Sequence, residues 1–360
     1  MTPTAVLLAS FGGPEGPDEV MPFLERVTAG RGVPPERLVE VSHHYLALGG
    51  VSPINAQNRA LLAALRAEFD SRGIDLPLYW GNRNSAPFFD DVVKQMADDG
   101  HTGAIALVTS AYSSYSGCRQ YRENIAAALD RTGLADQLAI RTAGQYFDSD
   151  GFVEPFARGV VAALQRLNEQ GIDDSDIVLL CSTHSIPESM AATSGPGASA
   201  TGEAQSAGWY VAQHTEAMAR IARRAESVRG RSVPEPRLVF QSRSGPPSMP
   251  WLEPDVNDAL RSAAASGTRA AVVAPIGFIS DHVEVIWDLD HEAAETAAEI
   301  GLSFERVGTP GIDPAFVAAL AAQVEGALAG APGRGGCSPE CCPNPRAPQP
   351  VIPGPPGASA

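Results

Sequence analysis

Positive charge is scarce in this 360-residue chain. Lysine and arginine total 26 against 42 aspartates and glutamates, a formal net charge of −16. Nucleic-acid binding needs a basic face, so that class of partner is excluded. Long apolar runs are missing: nothing reaches the roughly 18–20 consecutive apolar residues of a membrane span. The N-terminus, MTPTAVLLASF, has neither a positive n-region nor an extended apolar stretch, which argues against a secretory leader. The expectation is a cytoplasmic protein. Cysteines number five, an odd count that argues against a disulfide framework in a reducing compartment. The phosphate-cradling patterns G-x-G-x-x-G and G-x-x-x-x-G-K-[ST] do not occur, nor do the catalytic patterns G-x-S-x-G and H-E-x-x-H.

A hydrophobic content of 44% is enough for a sizeable core and about two domains. Short apolar runs at 4–10, 76–81, 104–109 and 138–142 read as strands. A second set follows at 176–182, 237–242, 270–276 and 302–307. Amphipathic segments lie between them, at 54–70, 152–168, 203–225 and 313–328. This is the pattern of parallel sheets covered by helices. The fold class expected is α/β, with two Rossmann-like halves of four parallel strands around an interdomain cleft. The boundaries expected are 1–147, 148–330 and a Pro/Gly-rich tail over 331–360. Segment 191–204, rich in Gly, Ser and Ala, reads as a mobile loop, and 343–360 as disordered.

Ligands of open parallel sheets bind beyond the carboxyl ends of the strands. FGGP (11–14) follows the first strand, STHSIPE (182–188) the fifth, SRSGPP (242–247) the sixth and SDHVEVIWDLDHE (280–292) the seventh. Gly12 and Gly13 suit a tight turn or the close approach of a flat ligand. A lone His184 at a strand end is most often a hydrogen-bonded core residue. The carboxylates of 280–292 raise its odds of being a ligand or base. On a helix, Glu284, Asp288 and Glu292 form one acidic stripe, which is ordinarily a solvated face. Val283, Val285, Ile286, Trp287 and Leu289 surround it, so Glu284 is expected to be drawn inward. Three like charges in a row are tolerated where a cation passes between them or some are protonated. Ser185 is a poor nucleophile for His184, because neighbours in a strand point to opposite faces. Cys337, Cys341 and Cys342 crowd into CSPECC, a clustering that suggests thiolate ligation of a soft metal or a cluster.

Several stretches together resemble one family. LLASFGGPEGPDEV, HYLALGGVSPINAQ, YWGNRN, CSTHSIPE, QSRSGPPSMPWLEPDV and PIGFISDHVEVIWDLDHE are similar to ferrochelatases from about residue 4 to 328. YSGCRQY and the cysteine-rich tail resemble the actinobacterial branch. The resemblance implies an enzyme that inserts Fe(II) into a porphyrin held between the two halves, with no organic redox cofactor. It implies His184 and Glu284 as the catalytic pair, with Asp288 and Glu292 extending the metal path outward. Phe11, Gly12, Gly13, His44, Tyr45, Ser52 and Tyr121 are the implied porphyrin contacts. The family's bacillus-like members carry a tyrosine where this chain has Phe11, and a propionate-binding arginine where it has His44.

Cluster-bearing members hold a [2Fe–2S] unit on one internal and three C-terminal cysteines, which implies Cys118, Cys337, Cys341 and Cys342 here. A zinc site and an unliganded thiol tail are the plainer readings. Cys181, inside a strand, reads as a buried hydrophobe. The actinobacterial members imply coproporphyrin III and Fe(II) as substrates and coproheme as product. In agreement, the stretch at 30–42 has no continuous apolar surface for a bilayer. A monomer is expected. A protoporphyrin IX ferrochelatase, a cobalt chelatase and a non-catalytic porphyrin or iron carrier are the competing readings.

Overall fold

The structure is a computed structural model and describes residues 2–30, 32–195, 208–245, 248–331 and 337–355. Eight strands form: β1 (Ala5–Ser10), β2 (Leu78–Asn82), β3 (Gly103–Val108), β4 (Ala139–Thr142), β5 (Ile177–His184), β6 (Pro236–Gln241), β7 (Ala270–Ala274) and β8 (Ser303–Arg306). They make two four-stranded sheets, ordered β2-β1-β3-β4 and β6-β5-β7-β8, with every pairing parallel. The two sheets therefore share one topology. The sequence expectation of two similar four-stranded parallel sheets holds, and each strand lies within two residues of its expected position. The strands at the centre are buried along their whole length: β1, β3 and β7 have no exposed residue. That is why they read as continuous apolar runs rather than as alternating ones.

One apolar core runs through both halves. Val6, Leu65, Phe69 and Ile105 of the first half join Leu179 and Val272 of the second. The helices Asp150–Glu169 and Pro314–Leu328 supply the filling, with Phe152 5.4 Å from Phe156 and 6.2 Å from Phe316, centroid to centroid. The helix Pro314–Leu328 returns to the first half, where Glu325 pairs with Arg72 at 2.9 Å.

The tail departs from expectation. Residues 343–355 have no regular secondary structure, yet they lie ordered against the first half. Arg122 donates to the Ile352 carbonyl (2.9 Å) and the Ser338 carbonyl (3.2 Å). Arg119 donates to the carbonyls of Pro339 and Cys341. The Thr142 N–H reaches Pro353 O at 3.0 Å, and Ile352 is buried. A Pro/Gly-rich segment builds no core of its own, but buried guanidinium groups hold its carbonyls in place. Residues 356–360 lie outside the described residues, as does most of the expected mobile loop at 191–204, whose start closes the short helix Glu188–Ala192. Among the described residues no helix is long and apolar enough to cross a membrane.

Candidate active site

His184 is the last residue of β5 and is paired in register with Gln241 of β6. Its Nδ1 faces the Ser185 carbonyl and donates to it, so in the neutral ring the lone pair lies on Nε2. Nε2 stands 3.5 Å from Glu284 Oε2. Ser185 turns away and donates to the Leu252 carbonyl, which removes it as a nucleophile for His184.

Glu284 sits in the first turn of a helix that begins at Val283 and runs to Glu299. Its middle, Ile286–Ala293, is wound as a π-helix. In an α-helix, residues four apart drift by about 40° around the axis. The wider turn opposes that drift between Asp288 and Glu292. Such bulges concentrate at functional sites.

The expected inward pull falls on a different carboxylate. Glu284 stays 43% exposed at its side chain, because Val283 and Val285 on either side take the buried faces. Asp288 is the enclosed one. Burial, with Glu284 and Glu292 nearby, pushes its carboxyl up to about 7. It accepts a hydrogen bond from Ser242 and another from Gln241 Nε2 at 3.3 Å. Ser242 adopts a left-handed backbone (φ 62°), a conformation that costs a non-glycine residue energy. Glu292 is exposed and accepts from Trp287 Nε1 at 2.8 Å.

The segment 281–287 meets the first half directly. The Asp281 N–H donates to Gln57 Oε1 at 2.9 Å. Val283 packs with Phe23, Leu24 and Tyr45. Trp287 stacks on His44, ring centroids 4.2 Å apart and 9° from parallel. His44 is thus already engaged across the halves, and burial lowers its basicity. Tyr45 lies beneath, and its phenol is raised well above its ordinary value by burial and by Glu284 and Asp288.

The other first-half candidates divide. Phe11 is half-buried beside Phe23. Gly12 (φ +79°) leaves no room for a side chain: a Cβ would stand 2.4 Å from Ser85 Oγ. At Gly13 a Cβ would meet Ser52 at 2.6 Å. The close approach made by this glycine pair is to the protein's own side chains. Ser52 is buried below it, and Tyr121 belongs to the core on the outer face of the first sheet.

The strand-end census left out β2 and so missed Arg83. Its guanidinium lies over the Phe11 ring (5.4 Å) and the Tyr121 ring (4.7 Å), with Asn124 Oδ1 at 2.8 Å. Ser242 was in that census through SRSGPP but without a role, and Gln241, the last residue of β6, fell outside it. A groove of about 1580 Å³ between the helix Gln120–Arg131 and the tail is separate from this site and holds neither His184 nor Glu284.

The four expected cysteine ligands do come together. Cys118 lies in a π-wound turn, Tyr115–Arg119. Its sulfur is 3.9 Å from Cys342, which is 3.7 Å from Cys341, which is 3.9 Å from Cys337 across a further turn of chain. All are free thiols. Cys118 and Cys341 share their protons with Cys337, holding its thiol down to about 3 while their own are pushed up. The Gly195 N–H donates to Cys342 Sγ at 3.1 Å, so the corner also touches the second half. The contacts close into one group, since Cys118 also meets Cys337. Among the described residues no group of three or more His, Cys, Asp or Glu is arranged to hold a metal ion. Cys181 is buried and far from this corner in the core, its thiol pushed up to about 12 by burial.

Two parallel four-stranded sheets of one topology, with His184 and the carboxylates of 284–292 beyond the strand ends of the second, make a two-halved α/β fold. SirB from Bacillus subtilis, solved with Fe3+, has the same fold (TM-score 0.50, 12% identity, 91% of this chain and 96% of that one). A family model described as Ferrochelatase matches residues 3–328, and the chain belongs to the ferrochelatase family. It is 53% identical to a coproporphyrin III ferrochelatase of Streptomyces griseus over 88% of this chain and 83% of that protein. A coproporphyrin III ferrochelatase of Tropheryma whipplei is 46% identical over 95% of this chain and 89% of its own length, so that match includes part of the tail.

Proposed function

We propose that this enzyme inserts Fe(II) into coproporphyrin III to give coproheme, acting as a cytoplasmic monomer. The His184–Glu284 pair, 3.5 Å apart where the two halves meet, carries the reading. Metal insertion expels two pyrrole protons. His184 Nε2 accepts each in turn, handing the first to Glu284 before it takes the second. Glu284 takes protons onward to Asp288, whose raised affinity lets it bind and release near neutrality. Glu292, at the exposed end of the line, opens it to water and offers the incoming ion its first oxygen ligand. Phe11 gives no axial phenolate from the opposite side. Names shared by relatives at 46–53% identity support the four-propionate substrate. Arg83 and His44 offer the first half's polar groups for those carboxylates. Side-by-side kinetics in detergent-free buffer test the reading: kcat/KM should be higher for coproporphyrin III than for protoporphyrin IX. The reverse order would leave only the broader family assignment.

The cysteine corner suits a soft metal by its chemistry: four thiols gathered in one buried group, beside the Arg119 and Arg122 guanidinium groups that favour their charged form. A [2Fe–2S] unit is what the family resemblance supports, and the group of sulfurs would open to span two irons. A second reading has a specific observation behind it. One tetrahedral zinc at about 2.3 Å from each sulfur sets thiolates about 3.8 Å apart, and the sulfur contacts here are 3.7–3.9 Å. Protein purified without oxygen should carry about two irons and two sulfides per chain in the first case. One zinc and no sulfide would decide for the second.

A further inference from the structure

Behind His184 lies a buried polar chain that metal insertion and proton removal do not use. Tyr210 is the third residue of the helix Gly208–Arg229. Its hydroxyl is 2.7 Å from the His184 carbonyl and 2.9 Å from Thr183 Oγ1. Thr183 Oγ1 is in turn 2.8 Å from His214 Nε2, and His214 Nδ1 is 2.7 Å from the Tyr210 carbonyl. The proton count fixes the directions. His214 Nδ1 faces a carbonyl and must donate, so Nε2 accepts, and Thr183 gives it its only proton. Burial keeps this imidazole neutral, its pKa lowered to about 3. Tyr210 is then left as a donor, and the His184 carbonyl is its nearest acceptor. Tyr210, Thr183 and His214 are all buried, and Gly277 closes over Thr183 so tightly that a Cβ would stand 2.2 Å from its hydroxyl. The chain therefore has one arrangement, with the backbone of the proposed base at its end.

The other end of Tyr210 is held too. Ser194 caps the helix: its Oγ accepts from the Tyr210 N–H at 2.8 Å and its carbonyl from the Trp209 N–H at 3.2 Å. The next residue, Gly195, donates its N–H to Cys342 Sγ at 3.1 Å. Gly195 has φ +99°, and a Cβ there would meet the Trp209 ring at 2.3 Å, so the strap is packed against the helix start.

We propose that Tyr210 is a positioning residue for His184, and that the Ser194–Gly195 strap ties it to the four-cysteine corner, so that the integrity of that corner reaches the base. The proposal rests on His184 being the base. It gives the corner a role in the second half although its cysteines come from the first half and the tail.

The test combines kinetics with the ring-proton resonance of His184 in the metal-free protein, assigned by its loss in His184→Ala. The chain has seven histidines, few enough to resolve. Tyr210→Phe should shift that resonance and lower kcat about tenfold, the scale of a small misplacement of a reacting group. KM for both substrates should stay within about twofold. Ser194→Ala and Cys342→Ala should each move the same resonance and lower kcat by a smaller factor. Neither should add to Tyr210→Phe, because all three act through one link. Wild-type kcat and an unmoved resonance in Tyr210→Phe overturn the positioning role. Equal effects of Ser194→Ala with and without the tyrosine hydroxyl overturn the strap, and that comparison stands even where Cys342→Ala does not fold. A wild-type protein that metallates no porphyrin defeats the functional reading instead, while the resonance still decides the link.

Discussion

The two halves share a strand order, so their strand ends can be compared one for one. β2 ends at Asn82 and β6 at Gln241, both 1% exposed. The Asn82 amide is satisfied within its own half. It donates to Asn55 Oδ1, Ser85 Oγ and the Ala86 carbonyl and accepts from Trp80. The Gln241 side-chain Oε1 has no partner among the described residues, and its Nε2 reaches out to Asp288. The central strands differ likewise. β1 gives way to Gly12–Gly13, closed over by Ser52 and Ser85, whereas β5 ends on His184 with a free Nε2. An unpaired buried polar atom costs stability, so its presence at one strand end and not at its counterpart marks where the fold keeps reactive groups. The first half is finished as a platform, and the second is left open for chemistry.

The largest expected effect comes from removing the open group. His184→Ala should lower turnover about 10²–10⁴-fold, the range of a general base. Porphyrin binding, followed by fluorescence quenching, should change by less than about threefold. Near-native metallation by the variant would move the chemistry elsewhere. On the platform the matching strand end should respond in stability. Gly12→Ala forces a Cβ into Ser85 at a positive φ and should cost about 1–3 kcal/mol in chemical denaturation. A neutral result would mean that the loop opens easily and that its close packing is not structural.

That asymmetry was only partly legible in the sequence. The strands were readable because burial on both faces makes them unbroken apolar runs, as in AVLLAS and AAVVA. That His184 and Glu284 would lie near each other was readable because the polar segments ending β5 and following β7 share one edge of the sheet, and they stand 3.5 Å apart. Which carboxylate is enclosed was not. Glu284 and Asp288 share a helix face, and only the left-handed Ser242 at the end of another strand decides that Asp288 is the covered one. Tyr210 left no trace either, since its hydroxyl lands on a carbonyl 26 residues away. The tail was misread for a related reason. Its composition describes what it cannot build alone and says nothing of Arg119 and Arg122, which grip it.

Asp288 sharpens the comparison through pH. An aspartate in the unfolded chain titrates near 3.9, and Asp288 in the folded chain near 7. Between those values the folded chain holds a proton that unfolding releases. Its contribution therefore favours the folded state at low pH and is lost as pH rises through about 7. Asp288→Asn removes the dependence. The difference in Tm, variant minus wild type, should rise between about pH 5 and pH 8 in metal-free buffer. A difference that stays level over that range would show that the carboxylate is not held protonated by its surroundings. The same variant should raise the apparent KM for Fe(II), since the line of carboxylates is interrupted.

The smallest effect tests whether the platform helps to orient the open half. Trp287 stacks on His291 within its own helix, and its other two attachments can be separated. Its ring stacks on His44 of the first half, and its Nε1 donates to Glu292. Trp287→Phe keeps an aromatic face for His44 and removes the donor. Glu292 is exposed, so a single hydrogen bond to it is worth about 0.5–1.5 kcal/mol, and its loss frees the outermost carboxylate to wander. The expected result is a two- to tenfold rise in apparent KM for Fe(II), about what that energy allows, with kcat unchanged because His184 and Glu284 are untouched. His44→Ala reverses the attachments: the indole keeps its bond to Glu292 and loses its neighbour in the first half. If orientation of Glu292 depends on the bond alone, His44→Ala leaves the iron KM as it was. If the stack is what holds the indole in place, the two variants raise it alike, and the first half takes part in metal entry through a ring that touches no metal.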